Sequence, residues 1–511
     1  MTENSTCRIL LQPTRAELTA LRGTPLRDLL FEQGVEFPCG GRGRCRGCRI
    51  RLLCGTATVN AAQREILSAD EIAQGWRLAC QCVPETDLEI ELRQWDSAIL
   101  VDDTRFDFQP REGLGVAVDL GTTTLVAQLL DLQTGNVLAV KTALNAQARY
   151  GADVMSRVHF AVLEHRQQDL ERTIREQIGG LIQQLLATAG EKRALRDVVV
   201  VGNTVMHHLF CGVEVEPLSH NPFESPRIGL EEFRAGELGW KLEGNPTVHF
   251  LPCLGGFVGS DILAGILATG LHESEKVAGL VDLGTNGEIV IGNRDGMLCT
   301  STAAGPAFEG ARISMGMRAC TGAVSEVLVK QGSVRCHVLG DVAPQGLCGS
   351  GLVDAVAAGL ELDVITSTGR LAKGMNSWTL CPPVSLTQND IRELQLAKAA
   401  IAAGIQMLSH ETGATELAQV YLAGAFGNYI SRASAQRIGL LDFPLELVKA
   451  AGNTALLGAK MSLFELDGDG LSYTALRKRV RHVALNLDPG FQDVFVEQMA
   501  FPARVTLLDR H

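Results

Sequence analysis

The tetrapeptide Asp119-Leu-Gly-Thr122 returns unchanged as Asp282-Leu-Gly-Thr285. Each copy is entered from an apolar run that reads as a buried strand, Gly115–Val118 or Gly279–Val281. Each leaves into a second strand, Leu125–Asp131 or Glu288–Gly292, and a Gly-containing turn leads to a third. Helical periodicity follows over 165–188 in the first copy and 397–411 in the second. Another apolar strand then runs into a turn, Asp197–Thr204 or Gln419–Gly427. Strands alternating with helices predict an α/β sheet, and a unit that occurs twice predicts a duplicated fold.

A Gly-Thr turn after a buried strand offers amides and hydroxyls to phosphate oxygens, with no side chain to block their approach. A carboxylate at the strand end can hold Mg²⁺ through waters. The duplicated body resembles the acetate kinase, sugar kinase, Hsp70 and actin superfamily. That resemblance implies two ribonuclease-H-like halves with ATP bound between them. It assigns Asp119, Gly121, Thr122, Thr123 and Thr124 to a first phosphate loop, and Asp282, Gly284, Thr285, Asn286 and Gly287 to a second. Gly424-Ala425-Phe426-Gly427 would be the adenosine loop. The chain contains no G-x-x-x-x-G-K-[ST], so it is not a P-loop enzyme. Gly346-Leu-Cys-Gly-Ser-Gly351 precedes an apolar helix whose N-terminus could seat an anion. His207-His208 reads as packing or surface, since the histidines show no metal-ligand spacing.

The N-terminal part has a different texture. Of 14 cysteines, seven fall within residues 1–82. Cys39, Cys45 and Cys48 are spaced C-x5-C-x2-C in a loop rich in Gly and Arg, and Cys80 and Cys82 follow later. Plant-type [2Fe–2S] ferredoxins use three closely spaced cysteines and a distant fourth. The spacing here is similar to the adrenodoxin-like branch, whose first loop is one residue longer. Leu78-Ala-Cys80-Gln favours Cys80 over Cys82 as the fourth ligand. A zinc site would need two paired motifs, and Cys80-x-Cys82 lacks that spacing. Strands at 7–11, 16–20, 49–53 and 88–92, with helices after Pro25 and over 61–75, predict a β-grasp. The arginines Arg42, Arg44, Arg46, Arg49 and Arg51 are either solvated, or available to offset cluster charge or to dock an acidic electron donor.

The expected organisation is a ferredoxin domain at 1–94, a linker at 95–112, and two body units at 113–272 and 273–511. Net charge is −12 and only 5% of residues are aromatic, which argues against nucleic acid. No secretory signal is visible and no apolar run is long enough to span a membrane, so a cytoplasmic location is expected.

A ferredoxin domain ahead of such a body, together with Arg149–Arg157, Gly202–Thr204, Asn221–Phe223, Ser301–Gly310 and Cys348–Leu352, resembles the reductive activators of corrinoid proteins. The resemblance runs end to end. It implies transfer of one electron from the cluster to inactive Co(II) in the corrinoid protein of a methyltransferase system, restoring Co(I), with ATP making the step possible. A plant-type cluster lies near about −400 mV. The cobalt couple is implied to lie lower, and each ~59 mV of gap costs a factor of about ten. The resemblance further implies a homodimer and a low-potential electron donor. Ser301, in a loop of small residues after the second phosphate hairpin, is expected to face the corrinoid. Alternative readings are an ATP-driven donor to another low-potential acceptor, or a redox-sensing, ATP-regulated binding module.

Overall fold

The computed structural model describes residues 6–12, 15–31, 33, 35, 43, 48–92, 106–190, 193–284, 286–414, 416–466 and 473–503. Cys39, Cys45, Thr285, Arg42, Arg44, Arg46 and positions 95–105 therefore lie outside the described residues, whereas Arg49 and Arg51 lie on the strand Arg49–Cys54 and Arg49 is 3.4 Å from Glu71.

The N-terminal sheet has five strands in the order Ala16–Leu21, Thr6–Gln12, Leu88–Leu92, Arg49–Cys54, Trp76–Leu78. The central pair, Thr6–Gln12 and Leu88–Leu92, is parallel and the others are antiparallel, as a β-grasp requires. Alternation drives it: Cys7, Ile9 and Leu11 from one strand and Leu88, Ile90 and Leu92 from its neighbour all point into one core. The expected single helix over 61–75 is two helices, Ala61–Ile66 and Ala69–Ala73. Ser68 breaks it by forming a reciprocal capping box with Glu71, so a new helix starts where the periodicity alone continued one.

The body carries the predicted duplication in its strand order. The first half runs Val137–Leu144, Thr124–Asp131, Leu114–Leu120, Leu195–Gly202, Thr247–Phe250. The second runs Gly296–Thr302, Gly287–Asn293, Ala278–Leu283, Val420–Ala423, Val448–Gly452. Both are order 3-2-1-4-5, with the first three strands antiparallel and the last two parallel to the first. They differ in a sixth strand. Glu231–Arg234 joins beside the fifth strand in the first half, and Val480–His482 joins beside the third in the second. The predicted helices are present as Gln167–Ala189 and Gln388–Thr412. The latter begins earlier than its apolar periodicity because Thr387 and Asp390 make a capping box.

Two further helices lock the halves together. Ser260–Thr269 follows the first sheet in sequence but shares a core with Leu280 and Val290 of the second. Thr454–Glu465 follows the second sheet but packs through Leu456, Ala459 and Leu463 onto Ala117, Val199 and Val201 of the first. The helices touch at Gly458, where a Cβ would lie 2.1 Å from the Ala264 carbonyl oxygen. The end of the stretch read as a linker is docked as well. Phe106 meets the Phe464 ring edge-on and Phe108 packs on it at a tilt, and Arg111 pairs with Asp197 at 3.0 Å. Two phenylalanines in a polar segment find an apolar surface only in three dimensions.

Among the described residues no helix is long and apolar enough to cross a membrane.

Candidate functional site

The turn expected to be the first phosphate loop is built by the hairpin Leu114–Leu120/Thr124–Asp131. Gly121 closes it, donating from its amide to the Thr124 carbonyl at 3.1 Å, and a Cβ there would lie 2.4 Å from that oxygen. The turn is then fastened from beneath. The Asn145 side-chain amide donates to the Gly121 carbonyl at 2.9 Å, and its backbone N–H to that of Thr123 at 2.7 Å. Asn203 donates to the Thr122 hydroxyl at 2.8 Å while capping the helix Thr204–Cys211.

Asp119 ends the central strand just before this turn, and Asn453 holds it through a 2.9 Å hydrogen bond. Asp282 holds the equivalent position in the second half; the Asp261 carboxylate feels both, and that of Glu288 feels Asp261 and Asp282. Loss of water is the main force on each. It raises Asp119 to about 6, against the lowering effect of the Asn453 bond. Asp282 rises to about 7 by burial and then by the neighbouring Asp119 charge. Asp261 also rises to about 7, by burial and then by Asp282 and Asp119. Glu288 rises well above the carboxylate range, by burial and then by Asp261 and Asp282. Burial and mutual repulsion thus keep these four carboxyl groups from ionising together. Among the described residues no three His, Cys, Asp or Glu side chains are grouped closely enough to hold a metal ion directly.

The second turn is closed by Gly284 donating to the Asn286 carbonyl at 3.0 Å. Gly287 opens the next strand, with Ile401 packed where its Cβ would be. Gly424 through Gly427 do not form a loop as expected: they open the helix Gly424–Tyr429. Gly424 has φ +80°, and a Cβ on it would lie 2.5 Å from an Asp282 carboxylate oxygen, so this segment closes directly on the strand Ala278–Leu283. Phe426 stacks on Phe308 with ring centroids 4.6 Å apart. The glycines of Gly346–Gly351 answer to packing: a Cβ at Gly349 would overlap the Phe308 carbonyl, and one at Gly351 that of Val324.

Ser301 is not in a loop. It lies on the strand Gly296–Thr302, paired with Glu288, and its hydroxyl donates to the Glu288 carboxylate at 3.2 Å. Alternation along the third strand turns this residue toward the acidic cleft. Ala304, further on, is buried. His207 and His208 are both interior, with imidazoles depressed to about 4 mainly by burial.

In the β-grasp domain, Cys48 and Cys80 are buried with their sulfurs 3.5 Å apart. Two thiolates on one tetrahedral metal with bonds of about 2.3 Å are separated by about 3.8 Å, so this pair already has the required spacing. Cys80 sits in a short 3-10 turn, Ala79–Gln81, which the Ala79 amide ties to the Cys48 carbonyl at 2.9 Å. Cys82, on the far side of that turn, is a core thiol pushed up to about 12, chiefly by burial. The described residues thus fit an iron–sulfur cluster.

Sequence reading missed Asp261, Glu288, Asn145 and Asn453. One signal was available for the last. Gly202-Asn-Thr204 recurs as Gly452-Asn-Thr454, and each triplet carries an asparagine that caps a helix and touches the first phosphate strand or turn.

Three family descriptions cover the chain: a 2Fe-2S iron-sulfur cluster binding domain at residues 9–85, the RACo middle region at 114–274, and the C-terminal domain of RACo, the ASKHA domain, at 276–510. The corrinoid activation enzyme RamQ of Eubacterium limosum is 34% identical over 424 residues, 77% of this chain and 71% of that one. The [Co(II) methylated amine-specific corrinoid protein] reductase of Methanosarcina barkeri is 26% identical over 422 residues, 76% of this chain and 77% of that one. A solved structure of a reductive activator for corrinoid, iron-sulfur protein superposes with a TM-score of 0.68 at 27% identity, covering 97% of this chain and 98% of that one. With an iron–sulfur domain, a duplicated ATPase body and relatives matched over most of their length, the chain belongs to the family of reductive activators of corrinoid proteins.

Proposed function

We propose that this protein couples ATP turnover in the body cleft to one-electron reduction of Co(II) in a partner corrinoid protein of a methyltransferase system. The carrying observation is that one chain holds a buried thiol pair at metal-ligand spacing and two phosphate turns converging on shared carboxylates. When bound, a [2Fe–2S] cluster supplies a one-electron store at low potential. Cys39, Cys45, Cys48 and Cys80 would hold it. Asp119 and Asp282, supported by Asp261 and Glu288, would hold Mg²⁺ through its waters, and the Gly121–Thr124 and Gly284–Gly287 turns would receive the nucleotide phosphates. Gly424–Gly427 closes the adenosine side.

The halves are joined by the crossed helices Ser260–Thr269 and Thr454–Glu465, so closing the cleft on nucleotide moves one sheet against the other. Such a two-state body can bind the partner differently with and without nucleotide, which lets ATP drive an otherwise unfavourable reduction. A low-potential donor would recharge the protein, and the family resemblance favours a homodimer.

The test is direct. The reduced protein is mixed anaerobically with a purified corrinoid protein held as Co(II), and the cobalt spectrum is followed. Co(I) should accumulate with Mg·ATP and fail to accumulate without nucleotide. Equal reduction in both conditions would remove ATP from the mechanism, and no reduction in either would remove the assignment for that partner.

A further inference from the structure

The helix Val154–Leu163 buries Arg157 completely, and among the described residues its guanidinium meets only neutral acceptors. Nε donates to the Gly151 carbonyl at 2.9 Å, Nη1 to the Gln147 side-chain oxygen at 3.3 Å and to the Met206 sulfur at 3.4 Å, and Nη2 to the Thr122 carbonyl at 2.5 Å. Among the described residues no carboxylate lies within ion-pair distance of it. The acidic group it senses is Asp153, whose own carboxylate is engaged in capping the helix through the Ser156 amide at 2.8 Å. Burial lowers the guanidinium to about 9, so it remains a cation at neutral pH. A buried charge without a counter-ion is costly, and an anion bound beside it would relieve that cost.

The turn above it is prepared for an anion. The carbonyls of Gly121, Thr122 and Thr123 are all taken by the protein, through the Asn145 side chain, Arg157 and the Asn145 backbone. In a trans peptide the N–H points opposite to the preceding carbonyl. Fixing the Gly121 and Thr122 carbonyls inward therefore turns the Thr122 and Thr123 amides outward, and neither amide finds an acceptor among the described residues.

We propose that Arg157 is the positioning residue of the first phosphate turn: it pins the Thr122 carbonyl so that the Thr123 amide faces the nucleotide, beside the Thr122 amide that Asn145 orients through Gly121, and it supplies the fixed positive charge that offsets the polyphosphate beside the acidic cleft. This rests on the nucleotide reading of that cleft. It adds a discriminating role, because the charge acts on phosphates and not on adenosine.

The experiment compares binding of Mg·ATP and of adenosine to the full chain by calorimetry. Arg157→Met should weaken Mg·ATP about 10–100-fold, the worth of a charge-assisted contact, and leave adenosine unchanged. Arg157→Lys, which keeps the charge, should recover part of the loss. Gln147→Glu reads the same charge without touching Arg157. It sets a carboxylate against Nη1 and should weaken Mg·ATP more than Gln147→Leu, which gives up the same 2.9 Å bond from Gln147 to the Leu170 carbonyl, and the 3.3 Å bond from Nη1 as well, but adds no charge. Equal Mg·ATP affinity in Gln147→Glu and Gln147→Leu would overturn the electrostatic role. Parallel loss of adenosine and Mg·ATP in Arg157→Met would reduce Arg157 to a structural support and overturn the proposal. A wild-type protein that binds no Mg·ATP would take down the nucleotide reading itself, and this inference with it.

Discussion

Asn453 Nδ2 donates to Asp119 Oδ2 at 2.9 Å, joining the cap of a second-half helix to the strand Leu114–Leu120 of the first. The same side chain accepts from the Leu456 amide at 2.8 Å through its other atom. One residue thus starts the helix that crosses between the halves and steadies the carboxylate at the phosphate turn.

Asn453→Ala should therefore lose both functions. Loss of an N-cap costs about 1 kcal/mol, or about 2–4 °C in a body of this size. ATP hydrolysis should fall about tenfold, because Asp119 loses the bond that favours its charged form. Asn453→Asp can still cap the helix but sets a carboxylate against Asp119, so the pH optimum of hydrolysis should move upward. Thermal melts and phosphate release across pH read both effects. Wild-type hydrolysis in both variants would dissociate this contact from catalysis.

The acidic cleft should make the nucleotide-free protein less stable as pH rises. Asp119, Asp261 and Asp282 titrate near 6–7 when folded, above their usual value of 3.8, so the folded state holds protons the unfolded state has released. That contribution is complete below the unfolded carboxylate range and is lost as pH passes through about 7. Asp282→Asn should raise the melting temperature at pH 8 by a few degrees (about 2–4 °C), show little difference at pH 4, and abolish hydrolysis. A variant less stable than wild type at every pH would contradict the sign.

Cys80 and Cys82 should separate cleanly in iron content. Cys80→Ser should bleach the protein, since it removes the sulfur 3.5 Å from Cys48. Cys82→Ser should keep its iron and visible absorbance, but melt earlier because a hydroxyl replaces a buried core thiol. Iron analysis beside the absorbance spectrum decides it, and the reverse pattern would move the fourth ligand to Cys82.

Ser301→Ala tests which surface that hydroxyl serves. Its bond to Glu288 favours the ionised carboxylate. Removing it should shift the hydrolysis profile to higher pH and slow turnover near neutrality by about three- to tenfold. Normal hydrolysis with selective loss of cobalt reduction would instead restore the corrinoid-facing role first expected of Ser301.

Much of the fold was legible because it is written in short-range signals. Alternation in Thr6–Gln12 and Leu88–Leu92, apolar runs before two identical Asp-Leu-Gly-Thr turns, and a helix period between strands each follow from local geometry. The site was legible only as far as motifs reached. Asp119 and Asp282 announced themselves by repetition. Asp261 stands in an unremarkable Gly-Ser-Asp, and Glu288 reads as one polar residue in a strand. Ser301 was misplaced for the same reason: the end of a strand and the start of a loop share a composition of small residues, and only pairing with Glu288 distinguishes them.

The sequence by itself determined the two modules, the duplication, the Gly121 turn and the family, because cysteine spacing, glycine requirements and hydrophobic period act between residues a few positions apart. Tertiary structure alone decided which charges meet. Asn453 reaches Asp119, Arg157 reaches Thr122, and Cys48 reaches Cys80 only after sheets and crossed helices have formed. The physical reason is that burial sets the strength of a charge. A carboxylate or guanidinium has one ordinary value in the chain and another once water is removed and a neighbour is fixed beside it, and neither the neighbour nor the dryness is encoded at any single position.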